Sequence, residues 1–369
     1  MAILYLLSIS LRFDVVQKHI ASIITQEIET LLETPLSIGG LRVIHLDEIV
    51  LKDITLRDQA GDTIVFAEKA TAHISPYRLL KNHIQINTLT IAEPDIRIAR
   101  KTSHSPLNIQ FIIEKFKQQS DNEDKKFTLR INQMLVYDGK FRYDIHDAAP
   151  RTDNILDPSH IEIEGIECNI SMRKFINDEL DLLVRSIKGY EKSGLNLNKL
   201  KTNIKAVNGN IQLHNTRILF PNTSIYSDSV AIAFDKGNPK AFEVAGNICS
   251  DKFTATDFTA LTTKLPKDIP TLSFDISTRS DSVSSRTSIS ASSLDDEISL
   301  KAIATIENPY VQERRTNIYL RNLNITEERI SSLLSMMDSG DINIAESIGD
   351  CSLNGEAEFT SKEIKGDFR

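Results

Sequence analysis

IVLKDITLRDQAGDTIVFAEK, residues 49–69, alternates apolar and polar side chains on both sides of a short polar segment. Such alternation is typical of a half-buried β-strand, because successive side chains of a strand point to opposite faces. The segment Ala60-Gly61-Asp62 has the small and polar residues of a tight turn. The stretch therefore predicts a β-hairpin, whose first strand carries the apolar residues Ile49, Leu51, Ile54 and Leu56. The step of three between Leu51 and Ile54 is typical of a bulge that re-aims a strand.

The same two-residue period recurs over most of the chain. The next apolar positions of this kind are Ile84, Ile86, Leu89, Ile91, Ile96 and Ile98, followed by Leu195 and Leu197 in EKSGLNLNKLKTNI (191–204). Turn signals lie between the runs, at Glu93-Pro94-Asp95, Asp138-Gly139 and Asn208-Gly209. We therefore predict hairpins over 131–145 and 204–218, and a mainly β chain whose strands pair as a meander.

Composition limits the kinds of partner and core that the chain can have. The 369 residues are 40% hydrophobic and 25% charged, which indicates a globular protein, but there is no Trp and only 6% aromatic residues. A net charge of −8 argues against a nucleic-acid partner, because phosphate binding needs a basic surface. Cys168, Cys249 and Cys351 lie far apart, so they indicate buried apolar residues rather than disulfides or a metal site.

The chain begins with MAILYLLSISL, an apolar stretch about half as long as a membrane-spanning helix requires. A weak secretory signal, a buried strand and the second half of a membrane anchor are all compatible with this stretch. We favour a partial membrane anchor over residues 1–12.

The pattern over residues 13–34 predicts an amphipathic helix. Asp14 and Gln17 have capping-box spacing, apolar residues then recur at intervals of three and four, and Pro35 ends the helix at Thr34. Such a helix can lie on a membrane or pack on its own domain, and the sequence leaves both open.

The sequence has no motif that predicts catalysis, a cofactor or a metal site, so we expect a protein that is not an enzyme. Asp144, His146 and Asp147 form the best cluster of metal-ligand residue types, but they run into a polar loop and read as a solvated turn. Glutamates at 162, 164 and 167 alternate with isoleucines, which is typical of the wet face of a strand.

Three stretches and their order along the chain carry a resemblance to a known family. They are IVLKDITLRDQAGDTIVFAEK (49–69), LLKNHIQINTLTIAEPDIRIARK with SPLNIQFIIEKF (79–101 and 105–116), and IKGYEKSGLNLNKLKTNI with FPNTSI (187–204 and 220–225). The tail IGDCSLNGEAEFTSKEIKGDF (348–368) has the Gly-spaced strands of the same family. The chain resembles the AsmA/TamB superfamily of inner-membrane-anchored periplasmic proteins, and in particular the TamB-like proteins of Bacteroidetes.

The resemblance implies a long, curved meander sheet that forms an open apolar groove behind the N-terminal helix. It implies an AsmA-like β-groove over 35–150 and further groove repeats over 151–369, truncated at the C-terminal end. The implied protein is anchored in the inner membrane, faces the periplasm, and carries phospholipid towards the outer membrane or assists outer-membrane protein assembly. Its expected partners are phospholipid acyl chains, the inner membrane and an outer-membrane β-barrel protein, and the twelve apolar residues named above would line the groove.

Elementary energetics make a lipid conduit plausible, and two other classes of function remain open. Exposing the two chains of a phospholipid to water costs on the order of 25 kcal/mol, at about 0.8 kcal/mol per CH₂, and an apolar groove removes most of that cost. One alternative is an assembly factor whose sheet edge pairs with strands of outer-membrane barrels without moving lipid. The other is a structural surface protein, a β-sandwich whose two apolar faces cover each other.

Overall fold

The computed structural model describes residues 22, 29, 34–45, 47–75, 83–112, 114, 128–153, 155–176, 179–234, 242–262, 269–310, 314–330, 349–359 and 364–368. Most of them lie in β-strands, which confirms the prediction of a mainly β fold. The predicted anchor over 1–12 lies outside the described residues. The predicted amphipathic helix over 13–34 also lies outside them, apart from Ser22, Glu29 and Thr34. In the described part of the chain, no helix has the length and apolar character that a membrane crossing needs.

The chain divides into two compact units, residues 1–198 and 199–369. The strands of the first unit are β1 (Leu36–His45), β2 (Glu48–Arg57), β3 (Thr63–Ile74), β4 (His83–Arg100), β5 (Thr128–Ile131), β6 (Gln133–Ile145), β7 (His160–Ile176) and β8 (Glu179–Glu191). The predicted domain boundary at 150–151 falls in the loop between β6 and β7.

The first unit is a sheet in which most strands pair with their neighbours in sequence. β1 to β4 are antiparallel to one another, as are β6, β7 and β8. The exception to the expected meander is β4, which pairs parallel with both β5 and β6. A parallel pair needs a crossover connection, which residues 101–127 supply.

Asn108, in this crossover, completes the edge of β4. Its backbone N–H donates to the Ala99 carbonyl, its side-chain oxygen accepts from the Ala99 N–H, and its side-chain amide donates to the Arg97 carbonyl. The register between β3 and β4 ends at Val65 opposite Ile96. Asn108 therefore pairs with the backbone of β4 beyond the point where β3 does.

Two of the predicted turns are wrong, and a third is confirmed. Asp138-Gly139 lies inside β6 and Glu93-Pro94-Asp95 inside β4, so neither segment joins two strands. Ala60-Gly61-Asp62 does form the turn between β2 and β3. The buried carboxylate of Asp58 fixes that turn by accepting from the N–H groups of Ala60 and Asp62, at 2.9 and 2.8 Å.

The second unit is an antiparallel meander, in which each strand pairs with the next. Its strands are β9 (Asn196–Val207), β10 (Asn210–Leu219), β11 (Ser224–Phe234), β12 (Phe242–Phe253), β13 (Leu272–Ser280), β14 (Ser284–Ser293), β15 (Ile298–Glu307), β16 (Arg315–Ile325), β17 (Cys351–Phe359) and β18 (Ile364–Phe368). A short 3₁₀ helix, η1 (Ala255–Leu261), follows β12. The hairpin predicted over 204–218 is confirmed, because Asn208 and Gly209 connect β9 to β10 with φ of 51° and 83°.

Candidate functional site: an apolar sheet face

Apolar side chains line up in continuous rows across the sheet of the first unit. Residues opposite one another in neighbouring strands share a face, so the strand register defines each row. The first row is Leu41, Leu51, Ala70, Ile91, Val136, Cys168 and Ile187. The second is Val43, Ile49, Ala72, Leu89, Met134, Ile170 and Val184. The third is Leu36, Leu56, Val65, Ile96, Phe141 and Ile163.

These rows would lie on opposite faces if the strands alternated strictly, because Leu51 and Leu56 are five positions apart. The backbone resolves the conflict with left-handed residues between the rows. Asp53 in β2, Glu93 in β4 and Asp138 in β6 each have φ of 50°. In β2 the two consecutive residues Lys52 and Asp53 are both exposed, which marks the position where the alternation slips by one residue. Apolar residues on both sides of this position therefore share one side of the sheet.

The three left-handed residues and Glu68 of β3 form a line across the sheet, which we call the crease. The flanking register places Asp53 opposite Glu68, Glu68 opposite Glu93, and Glu93 beside Asp138. The crease consists of these four residues. The three rows lie on the same side of the sheet on either flank of the crease, and we call that side the first apolar face.

Nine of the twelve predicted lining residues lie on the first apolar face. They are Ile49, Leu51, Ile54, Leu56, Ile86, Leu89, Ile91, Ile96 and Ile98. Ile84 lies in β4, but its side chain is outside the described residues. Leu195 and Leu197 are half-buried in the connection after β8 and at the start of β9, and the register that defines the face does not extend to them.

All nine of these side chains are half-buried, which distinguishes the face from a closed core. A second sheet packed against them would bury them almost completely. The fully buried residues of the face are mainly in β1 and β3, where Ala67 and Ala70 are 2% and 5% exposed. The face is therefore tightly packed near β3 and more accessible from β4 to β7, whereas Val184 in β8 is 2% exposed.

Sequence reasoning missed the contribution of β6 to β8 to this face. Ile98 lies beside Tyr143, and Tyr143 lies opposite Ile161, so an aromatic residue sits between two isoleucines. The alternation of isoleucine and glutamate in β7 was the available signal. It indicated a half-buried strand but could not indicate the strands on either side of it.

The opposite face of β6, β7 and β8 carries cross-strand ion pairs. Lys140 contacts Glu164 at 3.3 Å, and Lys188 contacts Glu167 at 2.8 Å. A hydrogen bond from the Tyr190 hydroxyl, together with Lys140, lowers the pKa of Glu164. The glutamates expected on a wet strand face are thus paired on the polar side of the sheet, and the two sides differ sharply in chemistry.

The acidic clusters of the described residues do not assemble a metal site. No group of three or more His, Cys, Asp or Glu side chains among these residues has the geometry to hold an ion. Asp144 contacts His160 Nδ1 at 3.1 Å, and it belongs to the predicted cluster with His146 and Asp147. His146 and Asp147 are exposed.

A shallow depression lies in the second unit, lined mainly by residues of β14 to β18. Its lining includes Arg286, Tyr319, Glu356 and Asp367, so charges of both signs are present. None of its lining residues carries a buried polar atom that lacks a partner. The depression therefore resembles a solvated strand surface, and it is a weaker candidate for a ligand site than the first apolar face.

No protein-family model, curated protein or solved structure matches this chain.

Proposed function

We propose that the chain is a TamB-like, inner-membrane-anchored protein of the periplasm whose first apolar face carries phospholipid acyl chains towards the outer membrane. The observation that carries the proposal is the continuity of three apolar rows, two from β1 to β8 and the third from β1 to β7, with most of their large side chains from β4 to β7 left half-buried. The family resemblance of the sequence supports phospholipid as the ligand and the cellular location.

The geometry suits an alkyl chain better than a polar ligand. The rows run across strands, so an acyl chain lying along them would meet one apolar side chain about every 4.8 Å, which is the spacing of strands in a sheet. The contacts from β4 onwards would be with Ile96, Phe141 and Ile163 in one row and with Ile98, Tyr143 and Ile161 beside it. Dispersion contacts of this kind are individually weak and do not discriminate between headgroups.

The crease supports the same function because it keeps the apolar side continuous over strands as long as β4, which has 18 residues. A strict alternation through Glu93 would have placed Ile91 and Ile96 on opposite faces. The left-handed residue places both on the first apolar face, so the surface available to an alkyl chain extends along the strands as well as across them.

A lipid-binding comparison of two neighbouring residues in β4 tests the proposal. Ile98→Arg places a charge on the first apolar face, whereas Arg97→Ala changes the polar side one position away. We expect phospholipid to be retained by the purified chain in native mass spectrometry, to be lost in the Ile98→Arg variant, and to be retained in the Arg97→Ala variant.

Equal effects of the two substitutions would contradict the assignment of the face. A chain that retains no phospholipid, but cross-links through β1 to an outer-membrane barrel, would contradict lipid transport. That result would favour the function of an assembly factor. Circular dichroism of each variant verifies that a lost signal does not reflect unfolding.

A further inference from the structure

The second unit has its own apolar face, also defined by strand register. One row is Ser250, Phe274, Ala291, Leu300, Leu323 and Leu353. The row beside it is Ile248, Ile276, Ile289, Ala302, Leu320 and Gly355. We call this side of the sheet the second apolar face.

The 3₁₀ helix η1 packs on the second apolar face through an aromatic cluster. Phe258 of η1 stacks on Phe253 with ring centroids 5.0 Å apart, and it meets the edge of Phe220 at 4.9 Å. Phe253 in turn contacts Phe274 at 5.6 Å. Ala255 of η1 is buried as well. The helix therefore covers the end of the face where β10 to β13 meet.

A polar latch holds η1 to the turn between β10 and β11. The Asp257 carboxylate accepts from the backbone N–H and the side-chain amide of Asn222, at 2.8 and 3.0 Å. Beside it, Thr223 and Thr254 bond reciprocally: the Thr223 hydroxyl accepts from the Thr254 N–H at 2.9 Å and donates to the Thr254 carbonyl at 3.3 Å. We define the latch as these four residues.

Beside the aromatic cluster, the second apolar face contains a buried hydroxyl without a partner. Ser250 lies opposite Phe274, is 1% exposed, and its Oγ has no hydrogen-bond partner. A buried polar group without a partner destabilises the arrangement that buries it. Contacts between aromatic rings favour the closed position of η1, and the Ser250 hydroxyl beside Phe274 would gain a partner if the face opened at that end.

We propose that η1 is a displaceable cover of the second apolar face, and that a lipid acyl chain takes the place of Phe258 when the latch opens. The inference rests on the proposed function, because it assigns the same class of ligand to the second unit. The rings of Phe220, Phe253 and Phe274 then line the exposed end of the face, and Ser250 becomes accessible to water or to an ester oxygen of the lipid.

Two aspartates of the second unit give a matched pair of variants. Asp257→Ala removes both hydrogen bonds between Asp257 and Asn222. Asp281→Ala removes two comparable hydrogen bonds, from the N–H groups of Val283 and Ser284 at 2.8 and 2.7 Å, at a turn that does not hold η1. The probe is a phospholipid vesicle whose lipids carry a diazirine in the acyl chain, and labelled peptides are identified by mass spectrometry.

We expect Asp257→Ala to raise labelling of the peptide that contains Phe274 and Ile276 by roughly 3- to 10-fold, as loss of one or two hydrogen bonds predicts. Asp281→Ala should leave that labelling unchanged. Hydrogen exchange without lipid should show faster exchange over Ala255–Leu261 in the Asp257→Ala variant alone. A cleavable linker between Asn222→Cys and Asp257→Cys, in a chain with its native cysteines changed to alanine, should suppress labelling until the linker is cut.

Two other outcomes distinguish this inference from the proposed function. Labelling of the first apolar face, with no response of the second face to the latch variants or to the linker, would overturn the cover and leave the proposed function standing. Absence of acyl-chain labelling from both faces would overturn both.

Discussion

Glu93 in β4 lies beside Asp138 in β6, and both residues have a left-handed backbone with φ of 50°. Two acidic residues in an uncommon conformation thus lie next to each other across a parallel strand pair. Asp tolerates this region better than most side chains, because its short polar group can bond to the local backbone. The pair forms part of the crease that keeps the apolar rows on one side of the first unit.

The left-handed conformation at Asp138 predicts an unusual response to substitution. Asp138→Val should destabilise the first unit by about 1–2 kcal/mol, because a β-branched side chain clashes with its own backbone at positive φ. Asp138→Gly should be neutral or stabilising, since glycine adopts this region freely. Urea unfolding measures both, with Tyr137→Val as the control at the neighbouring exposed position. A valine at 138 that is tolerated as well as glycine would mean that the crease is not strained.

The like charges of Glu93 and Asp138 in the crease predict that the stability of the first unit depends on salt concentration. Like charges opposite each other on adjacent strands are destabilising, and salt screens exposed charges. The double variant Glu93→Gln/Asp138→Asn should therefore raise the free energy of unfolding by up to about 1 kcal/mol at low salt. The gain should shrink in concentrated salt. Stabilisation that does not change with salt would indicate a cause other than charge repulsion.

The hydrogen bonds of Asn108 predict that substitution at this position outside the strands lowers the free energy of unfolding. Asn108→Asp keeps the acceptor for the Ala99 N–H but replaces the donor to the Arg97 carbonyl by a carboxylate oxygen. The loss of one hydrogen bond and the repulsion between two oxygens should cost about 1–3 kcal/mol in the free energy of unfolding. Asn87→Asp is the control. The Asn87 side chain accepts hydrogen bonds from Gln85 and Asn132 through its oxygen, and an aspartate keeps that acceptor. Equal unfolding midpoints for the two variants would contradict the role of Asn108.

His160 predicts a pH-dependent contribution to stability. Its Nδ1 contacts Asp144, its Nε2 contacts the Ala148 carbonyl, and the hydrogen bond to Asp144 raises the pKa of His160. A raised pKa in the folded state stabilises the fold below the unfolded pKa of about 6.5, and this contribution is lost as the pH rises through the folded pKa. His160→Gln should therefore lower the urea midpoint more at pH 5.5 than at pH 8.5. The same loss at both values would show that protonation is not involved.

The alternation in the sequence predicted the strands and one side of β2 and β4, because the two-residue period is a local property. It could not distinguish a turn from a crease. Asp138-Gly139 has the residues of a hairpin turn, yet β6 continues through it, and the conformation is set by pairing with β4 and β7. Asn208-Gly209 has similar chemistry and does form a turn, since β9 and β10 pair directly across it.

The members of the first apolar face were only partly predictable for the same reason. Ile91 and Val136 lie side by side although 45 positions separate them, through the parallel pairing of β4 with β6. No local pattern indicates that pairing, because the crossover that permits it is longer than any hairpin connection. Likewise, no local pattern indicates the aromatic cluster in which Phe258 contacts Phe220 and Phe253.

The most direct test of the proposal that the first apolar face carries lipid uses four positions on two neighbouring strands. Ile98 and Tyr143 lie side by side on the first apolar face, whereas Arg97 and Arg142 lie side by side on the polar face one residue away. A photoreactive amino acid at each position, with the chain expressed in intact cells, reports which side contacts lipid. We predict phospholipid adducts at 98 and 143 and none at 97 and 142. Adducts at all four positions, or at the arginine positions alone, would contradict an apolar face that carries acyl chains.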